Sequence, residues 1–353
     1  MANMAQAIRM ALHYAEENLG VTDIFGEDVG APLGGVFTVT QGLKTAWNSP
    51  LDERGIIGMA IGLAMAGQRP VAEIQFADYI YNTIDLLKIA GNTCWASHGD
   101  WNLPMVVKTP VGSGIRGSLY HSHSFDATAT HIPGWKIVIP SNPLDAYGLM
   151  ISACQEINPV MYLEPKALLR IKGEERIPGE PDDDKQLSRL IDAPLGDQRS
   201  QWKPQWPEGL GAYAVPIGKG KVVRPGSQLT VVSYGRTLPL CKKAADELAS
   251  EGVDAEVIDL RSLWPYDWEL IRGSIEKTGR VLFVNEDTEV TNFGEHLVRR
   301  TVEELFFKLL APPRLLAGKF VPGIGLADTL EMASVPQLGD ITAAVRALAS
   351  EQP

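Results

Sequence analysis

The strongest constraint in this chain is an alternation. Short apolar runs of strand length are separated by longer stretches with helical periodicity, and the pattern occurs twice. A helix near Met4–Asn18 leads into "VTDIFGE", then the helical "DERGIIGMAIGLAMAG", the strand "PVAEIQFA", the helical "YIYNTIDLLKIAGNTC" and the strand "PMVVKTP". "WKIVIP", "PLDAYGLMISACQEI" and "PVMYLEP" close the first series. Strands apolar along their whole length must be covered on both faces, so the pattern predicts an α/β fold with a mostly parallel sheet between helices. The second series runs "SQLTVVSYG", "TLPLCKKAADELASEG", "VDAEVIDL", "WELIRGSIEKTG", "RVLFVNE" and a helix "GEHLVRRTVEELFFKLL". Between them, a stretch rich in Pro, Gly, Asp and Trp reads as a loop-rich linker rather than a core element. The expected division is residues 1–170, a linker over 171–219, and a second domain over 220–353.

A formal net charge of -11 argues against nucleic acid or an anionic membrane surface as the main partner. The longest uncharged apolar run, Gly55 to Gly67, falls short of the ~20 residues that span a bilayer. The N-terminus reads as an amphipathic helix and has no signal-peptide pattern. Cys94, Cys154 and Cys241 are scattered thiols without a CxxC, which suits a reducing, cytoplasmic setting. Gly55, Gly58 and Gly62 recur at helical spacing in one segment. Each costs about 1 kcal/mol relative to alanine, so close approach by another helix is expected, within the domain or from another subunit.

Three of the six histidines lie in "GSLYHSHSFDATATH", at His121, His123 and His131. No thiol or carboxylate stands at ligand spacing beside them, so no protein-ligated metal is expected there. The loop follows a strand whose carboxyl end is where parallel sheets build sites, so a catalytic histidine and a solvated loop both remain open. Glu53 precedes a helical pattern, and on its residues alone an acid in a helix's first turn, with Asp52 or Ser49 as cap, is the simpler reading. Glu27 with Asp28, and Gln75 with Asp78 and Tyr79, stand at two further strand ends. Together with the histidine loop they look more like a site than any one does. A GxGxxG after a strand, a GxxxxGK[ST] and a Gly-Asp-Gly with a downstream Asn are all missing. A free-standing nicotinamide oxidoreductase is accordingly disfavoured.

The blocks "FGEDVG…GGVF", "SPLDERGIIGMAIGLAMAGQRPVAEIQFADYIY", "SLYHSHS", "VIPSNPLDAYGLM", "PVMYLEPKALLR" and "VDAEVIDLRSLWPYD" stand in an order that resembles the β subunit of 2-oxo acid dehydrogenase complexes. That subunit is part of their thiamine-dependent decarboxylating component. "IQFADY", "LYHS" and "LEPK" look more like the branched-chain type than the pyruvate type. The resemblance implies a transketolase-like pyrimidine-binding domain followed by a transketolase C-terminal-like domain. It also implies an α2β2 heterotetramer whose α subunit supplies the diphosphate and magnesium contacts of thiamine diphosphate. A lipoyl-bearing dihydrolipoyl acyltransferase core would then take the acyl unit from a small 2-oxo acid.

By the same resemblance, Glu53 meets the aminopyrimidine ring, with Glu27, Leu51, Asp52, Gln75 and Tyr79 lining it. His121 is the active-site histidine, and Gln75, Phe76, Ala77 and Asp78 border the substrate. A potassium ion would lie near Leu103, Glu156 and Asn158. A carboxyl group suits the pyrimidine nitrogen because it can exchange a proton with it. A histidine suits acyl transfer to lipoyl because it titrates near neutrality. His123 stands where the family has glutamine, "AGNTCWASHGDW" replaces a more basic segment, and "LLAGKFVPGIGLADTLEMAS" lacks an Asp-Thr-Pro-x-Pro run. Pyruvate or acetoin is the alternative substrate, and a catalytically silent scaffold the alternative role.

Overall fold

The computed structural model describes residues 1–194 and 201–351, arranged in two compact units. The first comprises Met1–Pro110, Ile132–Glu164 and the described part of Leu168–Ile217. The second comprises Val111–His131, Pro165–Ala167 and the chain from Gly218 onward.

In the first unit the strands are β1 (Asp23–Gly26), β2 (Ala46–Asn48), β3 (Pro70–Glu73), β4 (Val106–Val111), β5 (Lys136–Val138) and β6 (Val160–Pro165), the last residues of β4 and β6 counting with the second unit. They stand in the order β5-β6-β4-β3-β1-β2, and β1 pairs in parallel with both β2 and β3. β2 was not foreseen; at three residues, only partly buried, it carries no apolar run to betray it. The helix Met4–Asn18 opens with a capping box between Asn3 and Gln6 and packs on the helix Pro143–Gln155. Its sequence reads as amphipathic, yet even Arg9 is buried, donating to the Ile191 carbonyl at 2.5 Å and to Asp192 Oδ1 at 2.9 Å.

Those partners lie in the expected linker, which needs correcting. Residues 171–217, as far as described, pack onto the first unit instead of spacing two domains. A helix Asp184–Ile191 buries Leu187 and Ile191 in the first core, and Val215 joins them. Tyr147 Oη donates to the Gly211 carbonyl at 2.8 Å, and Trp206 stacks on His13 at 4.2 Å. Few apolar residues dispersed among Asp, Pro and Gly hid this packing from the pattern. Part of the expected linker, 195–200, and the last two residues of the expected second domain lie outside the described residues.

In the second unit the strands are β7 (Lys221–Arg224), β8 (Leu229–Ser233), β9 (Ala255–Asp259), β10 (Ser262–Trp264), β11 (Val281–Thr288) and β12 (Arg314–Gly318). One sheet runs β12-β11-β8-β9-β7, parallel except where β7 meets β9. Along β11, Leu282 and Val284 join the core formed with the helices Thr237–Ala249 and Leu338–Ser350, while the alternate Val281 and Phe283 are buried outside that cluster. Strand periodicity sends alternate side chains to opposite faces, so both faces are covered, as apolar strands require. The segment Val111–His131, assigned from sequence to the first domain, packs here.

Candidate active site

β3, β1 and β2 are adjacent and parallel, with Gly26 opposite both Glu73 and Asn48. Their carboxyl ends therefore finish together, and the three loops beyond them carry Glu27, Leu51–Glu53 and Gln75–Tyr79. This is the edge at which open parallel sheets bind ligands. Glu53 begins the helix Glu53–Met65. Glu53 is the acid of that helix's first turn and Asp52 occupies the cap position, as the residues suggest, but Asp52 makes no side-chain cap hydrogen bond and Ser49 Oγ donates to the Pro50 carbonyl. Glu53 Oε2 accepts from Asn82 Nδ2 at 3.2 Å, and Asn82 was not singled out from sequence. Its 3-10 turn, Ala77–Thr83, also carries Asp78 and Tyr79.

Electrostatics tie these loops together. Burial, then Asp28 and Glu53, raises the Glu27 carboxyl above its ordinary range. Burial, then Asp78, Glu27 and Glu53, raises the Tyr79 phenol. Phe76 is buried and meets Tyr79 edge-on at 5.8 Å and Phe37 at 5.9 Å. Ala77 is buried, Gln75 and Asp78 are half-buried, and Leu51 leaves 72% of its surface exposed. An apolar side chain is thus left open beside the half-buried Glu53.

Deeper in this sheet lies a charged group that the apolar pattern concealed. Lys108 of β4 is flanked by Glu73 of β3, with which it forms an ion pair, and by Glu164 of β6 at 3.2 Å. Burial opposes its charge, but Glu164 and Glu73 outweigh that and hold the ammonium above its ordinary value. The three suggested potassium residues lie in the same unit. The Leu103 carbonyl accepts from Met105 N at 2.9 Å, the Glu156 carbonyl accepts from Arg69 Nη1 at 3.0 Å, and buried Asn158 Oδ1 has no hydrogen-bond partner among the described residues.

The second unit holds the histidine segment. His121 Nδ1 lies 3.0 Å from the Gly117 carbonyl, which can only accept, so the proton is on Nδ1 and the basic lone pair on Nε2. Burial raises the Asp287 carboxyl above its ordinary value, against its backbone hydrogen bonds and the nearby His123, whose carbonyl accepts from Gly112 N at 2.9 Å. Burial, then Asp287 and Glu286, pushes the Asp126 carboxyl well above its usual range. His131 ends the short helix Asp126–Thr130 and lines a separate hollow of about 180 Å³ with Trp264, Phe293 and His296. Among the described residues the one grouping with metal-ligand geometry is His13, Glu16 and Glu17. Glu16 there already accepts from Lys44 N, Thr45 N and Thr45 Oγ1, and Glu17 pairs with Lys44.

Residues 1–172 match the transketolase pyrimidine-binding domain, and residues 218–341 match the transketolase C-terminal domain. The 2-oxoisovalerate dehydrogenase subunit beta of Pseudomonas aeruginosa is 40% identical over 90% of this chain and 87% of that protein. The chain belongs to the 2-oxo acid dehydrogenase β-subunit family. Its similarity to the Bacillus subtilis 2-oxoisovalerate dehydrogenase subunit beta is 36% identity over 97% of both chains. The pyruvate dehydrogenase E1 component subunit beta of Bacillus subtilis is 35% identical over 88% of this chain and 87% of that one. A split gene transketolase in an inactive tetrameric form shares the fold, with a TM-score of 0.72 at 19% identity over 99% of this chain and 98% of that chain. Membership in the family implies thiamine diphosphate and an α partner, as the sequence motifs do.

Proposed function

We propose that the chain is the β subunit of a branched-chain 2-oxo acid dehydrogenase, working in an α2β2 heterotetramer in the cytoplasm. The observation that carries this reading is Glu53: it begins the helix that follows β2, beside the carboxyl ends of β3 and β1, and is in electrostatic contact with Glu27 and Tyr79. Bound thiamine diphosphate supplies the carbanion chemistry of decarboxylation; the protein supplies position and protons. Glu53 holds the pyrimidine nitrogen and exchanges a proton with it. Leu51 covers the ring, and Phe76 and Tyr79 wall the same edge. Asp78 and Gln75 face the substrate side. His121, with its basic nitrogen fixed as Nε2, gives and takes the proton needed when the acyl unit passes to a lipoyl group of the acyltransferase core. The diphosphate and magnesium are held by the α subunit. A potassium ion at the Asn158 loop would share the Glu156 carbonyl with Arg69.

Glu53→Gln tests the reading. An amide cannot exchange the proton, so cofactor proton–deuterium exchange at the thiazolium carbon should fall at least 10²-fold in the assembled enzyme, with assembly unchanged. An unaltered exchange rate returns Glu53 to an ordinary first-turn acid.

A further inference from the structure

The segment that carries His121 is unusual backbone. Gly112 and Gly114 have positive φ, and so do Arg116 and Ser118, at 57° and 64°. Such conformations are costly for residues with a side chain and persist only where surrounding contacts over-determine them. Those contacts come from three carboxylates far away in sequence. Glu286 Oε2 accepts from Ser113 N at 3.1 Å and from Ser113 Oγ at 2.8 Å. Asp287 Oδ2 accepts from Ala127 N at 2.9 Å. Glu331 Oε1 accepts from Gly114 N at 2.7 Å and from Arg116 N at 3.2 Å, with Oε2 3.3 Å from the same N–H. Asp328, from the same short helix as Glu331, pairs with the Arg116 side chain.

Glu331 stands out among the three. It is the one buried residue of the helix Asp328–Ser334, only 6% exposed. A buried carboxylate is costly unless its lone pairs are filled, and those of Glu331 are filled by loop N–H groups, in charge-assisted bonds of the stronger kind. From its anchor at Arg116 the chain needs one further residue to reach the Gly117 carbonyl that orients His121, and His121 N in turn donates to the Ser118 carbonyl at 3.3 Å.

We infer that Glu331 is a positioning residue for His121: its carboxylate fixes the strained backbone from Gly114 to Arg116 and thereby the place of the imidazole. This rests on the reading of His121 as the proton-transferring group in acyl transfer. It also gives a task to the C-terminal stretch "LLAGKFVPGIGLADTLEMAS", in which Glu331 lies.

The test uses the assembled α/β enzyme with Glu331→Ala and Glu331→Gln. A displaced catalytic group loses up to about 10²-fold in rate. For Glu331→Ala, kcat for transfer to a lipoyl domain should fall about 10- to 100-fold, with KM for that domain unchanged and decarboxylation into an artificial oxidant within about threefold of the parent. Glu331→Gln, with an oxygen that still accepts, should recover part of the loss. Independently, amide hydrogen exchange at Gly114 and Arg116 should be faster in both variants. Should Glu331→Ala fail to assemble, the Gln variant decides alone. Unchanged exchange at those amides, or an equal loss in both activities, overturns the proposal. His121→Ala is the control: normal lipoyl transfer by that variant defeats the assignment of His121, while the exchange measurement still decides whether Glu331 holds the loop.

Discussion

A single side chain in this protein can be read through its proton, and Asp126 is the clearest case. It is fully buried, with Oδ1 unpartnered among the described residues, and burial, Asp287 and Glu286 all favour its neutral form. An unfolded aspartate ionises near pH ~3.9. Below that value the proton is bound in both states and costs folding nothing. As pH rises above it, the unfolded chain releases the proton while the folded chain retains it, so stability is lost up to the raised folded value. Asp126→Asn cannot ionise. Its melting temperature should therefore exceed the parent's at pH 8, with the difference shrinking toward pH 4. A gap that is constant across that range would show that Asp126 is ionised in the fold. His121 offers the contrasting lesson, because its proposed role depends on a neighbour: the Gly117 carbonyl chooses which nitrogen is basic.

Among the elements, the helix Glu53–Met65 joins site and surface. Its first residue is the candidate proton-exchanging glutamate, and its glycines were expected to admit a close neighbour. The structure narrows where that neighbour is. A Cβ placed on Gly62 meets nothing within 4 Å, and one on Gly58 meets only Leu86 Cδ1 at 4.0 Å. Among the described residues, open space therefore lies in front of Gly62, and Met59 and Met65 are exposed on the same helix. Small residues beside exposed methionines suit a subunit contact. Gly62→Leu should leave the melting curve of the chain alone within a degree or two, because it fills open space, yet weaken assembly with the α subunit at least tenfold. Sedimentation of the mixed subunits measures this, and undiminished assembly would remove the stripe from the interface.

At the scale of the whole molecule, the proposed residues divide between the two units. The first carries Glu27, Glu53 and Tyr79; the second carries His121 and the carboxylates that fix its loop. Neither contains a Gly-Asp-Gly segment for the diphosphate. Purified alone, the chain should bind thiamine diphosphate with magnesium at best weakly, and the mixture with the α subunit should bind it at least 10²-fold more tightly. Isothermal calorimetry on both samples checks this, and micromolar magnesium-dependent binding by the single chain would contradict a cofactor site shared with α.

The sequence by itself determined the architecture and marked the candidate site residues. Apolar runs of strand length alternating with helical periodicity leave little choice but covered parallel sheets, because burial on both faces follows directly from composition. Glu27, Gln75 and Tyr79 were marked as candidates because local patterns put them at strand ends, and Glu53 because the family resemblance singled it out from a first-turn acid. The adjacency of β3, β1 and β2 was not legible, since β2 has only three residues and strand order is a property of pairing, not of periodicity. The linker hid its packing because Leu187, Ile191 and Val215 are too dispersed to form a pattern. Lys108 hid inside an apolar strand because its two counter-charges come from other strands. Glu331 left no trace at all: its partners are backbone N–H groups 215 and 217 residues away, and a backbone hydrogen bond asks nothing of the side chains that a sequence records. Tertiary structure alone decided which carboxylates hold the histidine, because only folding brings so distant an acceptor to those donors.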